Sequence, residues 1–152
     1  MKIIPLPLKT DATIAAIQSF TPKRELRLPL FLCRISAGFP SPAEDHIEKR
    51  LDLNELLVEH PAATFFVRVA GDSMTGAGIN HNDILVVDRS LEPANGKVVI
   101  AVLNGELTVK RLYINGNSFR LVADNPAYPA LELSDGESCE IWGVVTSVIH
   151  PL

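Results

Sequence analysis

Cysteine is scarce: Cys33 and Cys139 are the two in 152 residues, far apart and outside any CxxC. With His46, His60, His81 and His150 scattered singly, that spacing provides neither a disulfide framework nor a zinc site. Long apolar runs are missing too. In the first 20 residues Pro5, Pro7, Lys9 and Asp11 break every such run before it reaches signal-peptide length. No other segment approaches the roughly 18 apolar residues of a spanning helix. There is no excess of positive charge, since 14 basic against 18 acidic residues leave a net −4. That balance argues against a protein that grips nucleic acid over a broad basic face. No repeat or low-complexity tract occurs. These absences set the expectation of a reduced, cytoplasmic protein without metal, cofactor, membrane contact or direct sequence-specific DNA binding.

What is present fits one packed domain: 47% apolar and 21% charged residues with 11 Pro and 9 Gly. A chain of this length can bury about 70% of its extended-state surface. The charge is unevenly placed. Residues 1–37 hold six basic and two acidic residues, net +4, and residues 38–152 hold eight and sixteen, net −8. A basic leader on an acidic body implies two parts with different tasks.

Residues 10–20 predict one short helix, with Thr10 or Asp11 as cap and Pro22 beyond its end. Arg24 to Ser41 reads as an extended, proline-punctuated arm with a strand around Leu30–Ile35. In 46–60, Leu51, Leu53, Leu56 and Leu57 lie close to helical spacing, with Asp52 or Asn54 as cap and Pro61 as stop. Beyond Pro61 come β-branched runs divided by Gly, Asn and Asp: 65–70, 83–88, 97–103, 106–114, 119–123, 131–134 and 140–149. The fold expected is mainly β: a curled antiparallel sheet or partial barrel, with an extended N-terminal arm and one or two short helices. Asn104-Gly105 marks a tight type I′ hairpin between two of the strands.

Two places break this β texture. Gly71-Asp72-Ser73-Met74 follows the first strand, which puts a serine hydroxyl on a strand-end turn beside the backbone N–H groups of Asp72 and Ser73. Lys110 interrupts a mostly apolar strand face shared with Thr108, Leu112 and Ile114, where burial favours a neutral amine able to act as a general base. Taken singly, the plainer readings are a polar turn residue and a lysine snorkelling to solvent. Together they compose a Ser–Lys dyad, with Ser73 as nucleophile, Lys110 as base and the Asp72 and Ser73 amides facing the oxyanion. A Ser–His–Asp arrangement of His81 with Asp83 or Asp88 is the competing chemistry, and paired carboxylates have no spacing to support them.

The runs GDSMTGAGINHNDILVVDRS, GKVVIAVLNGELTVKRL and EIWGVV, in that order, resemble the catalytic domain of the LexA/UmuD self-cleaving (S24-type serine peptidase) family, in particular its UmuD/MucA branch. The resemblance covers about Leu30 to Val148. It implies the LexA-type catalytic fold and places Ser73 and Lys110 on the family's two catalytic positions. Ala37-Gly38, in RISAGFPSPAEDHIEKRLDLN, falls on its scissile bond. The implied division is an arm, 1–37, removed by self-cleavage and a catalytic and dimerisation domain, 38–152. The implied activity is self-cleavage in the SOS response to DNA damage. The implied partners are a second copy in a homodimer, a RecA–single-stranded DNA filament as trigger, and a UmuC-like Y-family polymerase subunit for translesion synthesis. A short self-cleaving transcriptional regulator of the LexA type is the alternative. A signal-peptidase-like enzyme acting in trans and a catalytically silent β-domain module are more distant ones.

Overall fold

Strands dominate where β-branched residues alternate between two buried faces. In the computed structural model the described residues are 3–5, 13–20, 27–31, 47–132 and 139–152. In chain order the elements are β1 (Ile3–Pro5), β2 (Thr13–Ser19), β3 (Arg27–Phe31), β4 (Ile47–Asp52), α1 (Leu53–Leu57), β5 (Thr64–Ala70), β6 (Ile84–Asp88), β7 (Val98–Leu103), β8 (Glu106–Asn115), β9 (Ser118–Val122), β10 (Leu131–Glu132) and β11 (Cys139–Ile149). They form two compact units, Pro22–Glu59 and the remainder.

In the larger unit one antiparallel sheet runs β1-β2-β5-β6-β11-β7-β8-β9-β10. It curls until β2 meets β8 at a single pair, Thr13↔Thr108, so the sheet bends back on itself without closing into a barrel. The curl encloses a core built from Ile14, Ile17, Val67, Val69, Leu85 and Val87 among others, and a second cluster gathers Val99, Ala101, Leu112, Leu121 and Val144. On β7, Val99 and Ala101 belong to one cluster and Ile100 to the other, the two-residue alternation of a strand buried on both faces. The β7–β8 hairpin turns on Asn104 and Gly105, whose φ values of 50° and 80° are the two positive angles a type I′ turn requires.

Residues 13–19 are a strand, not the helix that the sequence predicts. Ile14 and Ile17 are three apart, a helical spacing, and both are buried. The β2–β5 register passes from Ile14↔Val69 to Ala16↔Arg68 and skips Ala15. One extra residue in a strand returns positions three apart to the same face. A bulge therefore imitates helical period, and pairing with β5 outweighs local propensity.

In the smaller unit β3 pairs with β4, so the helix expected within 46–60 is confined to Leu53–Leu57. Asp52 caps it in extended geometry, its carboxylate accepting the Asn54 N–H at 2.8 Å. Residues 32–35 of the expected arm strand and residues 133–134 of the expected strand 131–134 lie outside the described residues.

Candidate active site

Ser73 lies just past β5. Gly71, with φ of 93°, turns the chain in a conformation that a side chain disfavours, and the turn runs into a short 3-10 segment, Thr75–Ala77. Met74, fully buried in the main core, anchors this turn from below and leaves Ser73 with no exposed surface.

Lys110 sits mid-strand in β8, opposite Val99 of β7. By alternation it shares a side with Thr108 and Leu112, while Val109 and Arg111 take the other. It is 1% exposed. An amine this deep needs polar partners. It donates to Thr108 Oγ1 at 3.2 Å and to Ser73 Oγ at 3.4 Å. Sheet order explains the meeting. Thr13 of β2 pairs both with Ala70, at the end of the strand leading to Ser73, and with Thr108, two residues before Lys110. A hydroxyl and an amine at this distance, both shielded from water, can exchange a proton. Thr108, which also accepts from the amine, was signalled in sequence only by its two-residue offset from Lys110.

The structure thus brings Ser73 and Lys110 together and sets the Asp72–Ser73 backbone on the same turn. Ala37 and Gly38 lie outside the described residues. The competing triad is not assembled. His81 Nδ1 accepts the Gly71 N–H at 3.0 Å, Asp83 faces His150 at 2.5 Å, and Asp88 faces His60 at 2.6 Å. Burial alone would raise the Asp88 carboxyl. Hydrogen bonds from the Ser90 hydroxyl and backbone and from His60, with the imidazole charge, outweigh it and hold Asp88 below the usual carboxylate range. These His–Asp pairs join residues 28 and 67 positions apart, and no spacing rule in the sequence announces them.

Next to Lys110, Arg111 donates to Asp124 at 2.7 Å and to the Gly96 carbonyl at 2.6 Å. Its bond to Asp124 raises its pKa further, against the effect of burial. Asp124 begins a segment, 124–128, that lies against the Ser73 turn, a contact with no sequence signal.

This geometry coincides with a family match: the model for Peptidase S24-like proteins fits residues 29–146. The chain belongs to the S24 peptidase family. It is 50% identical over 122 residues to Protein SamA of Salmonella typhimurium, an alignment covering 80% of this chain and 84% of that protein. To Protein MucA of Escherichia coli it is 46% identical over 128 residues, covering 82% and 87%. To the LexA repressor of Paracidovorax citrulli it is 37% identical over 126 residues, covering 83% of this chain and 55% of the repressor. The chain is thus a UmuD/MucA-like member of the LexA/UmuD family of self-cleaving serine peptidases. Among the described residues no helix is long and apolar enough to cross a membrane.

Proposed function

We propose that this S24-family chain cuts its own Ala37–Gly38 bond with a Ser73–Lys110 dyad, and that the trimmed product serves as accessory subunit of an error-prone translesion polymerase in the SOS response. The observation that carries the proposal is the 3.4 Å approach of the Lys110 amine to the Ser73 hydroxyl, both buried. Lys110, unprotonated, takes the Ser73 proton as Oγ attacks the Ala37 carbonyl carbon. The Asp72 and Ser73 amides meet the charge that develops on its oxygen. When the intermediate collapses, the C–N bond to Gly38 breaks and the lysine returns the proton to the departing Gly38 amine. A water molecule then gives a proton to Lys110 as its oxygen adds to the Ala37–Ser73 ester. Ser73 leaves as the alcohol and recovers that proton, freeing the Ala37 carboxylate. The 35 residues from Gly38 to Ser73 can span about 115 Å, so the bond can reach the dyad.

In this role the protein is a cytoplasmic homodimer, triggered by a RecA–single-stranded DNA filament and handed on to a UmuC-like Y-family subunit. The higher identities to SamA and MucA than to the LexA repressor support this reading over a short self-cleaving regulator. Cutting after Ala37 divides a +4 leader from a −8 body, and release of that leader is a change of surface charge that can redirect partner choice.

Purified protein held at pH 7 to 10, with and without RecA filaments, tests this by fragment mass. Cleavage at Ala37–Gly38 is expected to accelerate with pH, since the base works only unprotonated, and to vanish in Ser73→Ala and Lys110→Ala. A cut elsewhere, one surviving both substitutions, or a rate flat across this range sinks the dyad.

A further inference from the structure

The segment Asp124–Tyr128 grips the Ser73 turn at four points. Asp124 N–H donates to Met74 Sδ at 3.4 Å, and the Asp124 carbonyl accepts the Gly76 N–H at 2.7 Å. Asn125 Nδ2 donates to the Asp72 carbonyl at 2.9 Å, and the Tyr128 hydroxyl donates to the Asp72 carboxylate. The orientation of the Asn125 amide follows from its partners. Its Oδ1 accepts the Ala127 N–H at 3.0 Å, and its backbone carbonyl accepts the Tyr128 N–H at 3.0 Å, so its N–H donors are left for Asp72.

The Asp72 carbonyl and the Ser73 N–H belong to one peptide group. In a planar trans peptide they point in opposite directions. Holding that carbonyl toward 124–128 therefore aims the Ser73 N–H the other way. Rotating the peptide would exchange them and present an acceptor where a developing oxyanion needs a donor.

We propose that Asn125 and Tyr128 are positioning residues: they lock the Asp72–Ser73 peptide so that the Ser73 N–H, and not the Asp72 carbonyl, faces the oxyanion. This rests on the Ser73–Lys110 reading of self-cleavage. Neither residue touches the reacting atoms. Asn125 holds the peptide itself, and Tyr128 holds the Asp72 side chain that could swing with it, so the larger effect falls on Asn125.

The test uses the full chain. Asn125→Asp keeps the acceptor for Ala127 but sets an oxygen against the Asp72 carbonyl. Tyr128→Phe removes one hydroxyl at nearly constant shape. Self-cleavage rates from pH 7 to 10 and melting temperatures are measured for both, beside Ser73→Ala and Lys110→Ala. Asn125→Asp is expected to slow cleavage about tenfold or more, approaching the 10²–10³ that loss of one oxyanion donor costs. Tyr128→Phe is expected to slow it about threefold, part of the same effect. In both, the shape of the pH–rate profile over pH 7 to 10 stays that of the parent, because the base is untouched, and Tyr128→Phe melts with the parent. Cleavage by both variants within twofold of the parent overturns the proposal. So does a pH–rate profile of altered shape, which assigns the effect to Lys110, or a slowing that tracks lost stability in both. If Asn125→Asp does not fold, Tyr128→Phe alone decides. Persistent cleavage in Ser73→Ala or Lys110→Ala refutes the dyad itself, a result separate from parent-like rates in the two positioning variants.

Discussion

Gly76 and Gly78, two residues apart on the turn that follows Ser73, tolerate no side chain or only some, for different physical reasons. At Gly76 a Cβ would stand 2.5 Å from the Asp124 carbonyl oxygen and 3.2 Å from its carbon. Both are backbone atoms, and that oxygen already accepts the Gly76 N–H at 2.7 Å while Arg111 holds the Asp124 side chain. Relief requires the 124 segment to retreat. Overpacking costs about 1–3 kcal/mol and the strained or lost hydrogen bond about 1 more, giving about 2–4 kcal/mol for Gly76→Ala. At 2–4 °C per kcal/mol for a chain of this size, that is a fall in Tm of roughly 5–15 °C. At Gly78 nothing lies within 4 Å, but φ is 78°. Only the left-handed backbone is penalised there, by about 1–2 kcal/mol for Ala and less for Asn. The assay is thermal unfolding by circular dichroism in a Ser73→Ala background, which keeps the chain intact during the scan. Expected order of Tm is parent, Gly78→Asn, Gly78→Ala, Gly76→Ala, and Gly76→Asn ranks with Gly76→Ala or below it. The reasoning is refuted if Gly76→Ala melts within a degree of the parent, or if Asn rescues position 76 as it does 78.

Acid sensitivity follows from Asp88, whose carboxyl lies below its ordinary range. Its contribution is fully present above the unfolded value, about pH 4, and is lost as pH falls through the folded value. Urea midpoints should therefore show Asp88→Asn less stable than parent at pH 7, by about 1–3 kcal/mol for a broken buried network, with the gap closing below about pH 4. A gap constant from pH 7 to pH 3 contradicts this. A third expectation concerns the N-terminal strand. If the chain is cut at Ala37–Gly38, β2 still pairs with β5 and buries Ile14 and Ile17, so the fragment stays bound without a covalent link. It should co-elute with the body on native gel filtration and separate when Ile14 and Ile17 are both changed to Asp. Immediate separation of the unmodified fragment is the contrary result.

The strands from residue 64 onward were legible because β-branched alternation and Gly/Asn punctuation coincide with the ladder, down to the two positive φ values at Asn104 and Gly105. What failed was period where the ladder slips. The bulge at Ala15 makes a strand look like a helix, and pairing of β4 with β3 takes Leu51 out of the leucine series that suggested a longer one. Local pattern reports which face a residue needs, not which partner strand supplies the face. The chemistry of the site shows the same division. Ser73 and Lys110 announce themselves by residue type in the wrong texture, a serine on a glycine turn and a lysine on an apolar strand. Asn125 and Tyr128 do not, because asparagine and tyrosine beside a proline are ordinary loop residues until the fold sets them against Asp72, more than fifty positions away.

The same strand that defeats the periodicity argument gives the basic leader a structural meaning that charge counting could not. Thr13 pairs with Ala70 on one side and Thr108 on the other, so β2 links the strand that leads to Ser73 to the strand that bears Lys110. Residues 1–37 are therefore more than a tether for the proposed scissile bond: part of them completes the sheet between the strand leading to Ser73 and the strand bearing Lys110. Strand edges left unpaired are ready templates for another chain. Departure of β2 would thus uncover the β5 edge and the apolar surface beneath Ile14 and Ile17 at the same moment as it removes the positive charge. Two changes that favour a new partner, an opened edge and a more acidic surface, then come from release of one segment. On this reasoning the step that commits the protein is departure of the strand, not scission of the peptide bond.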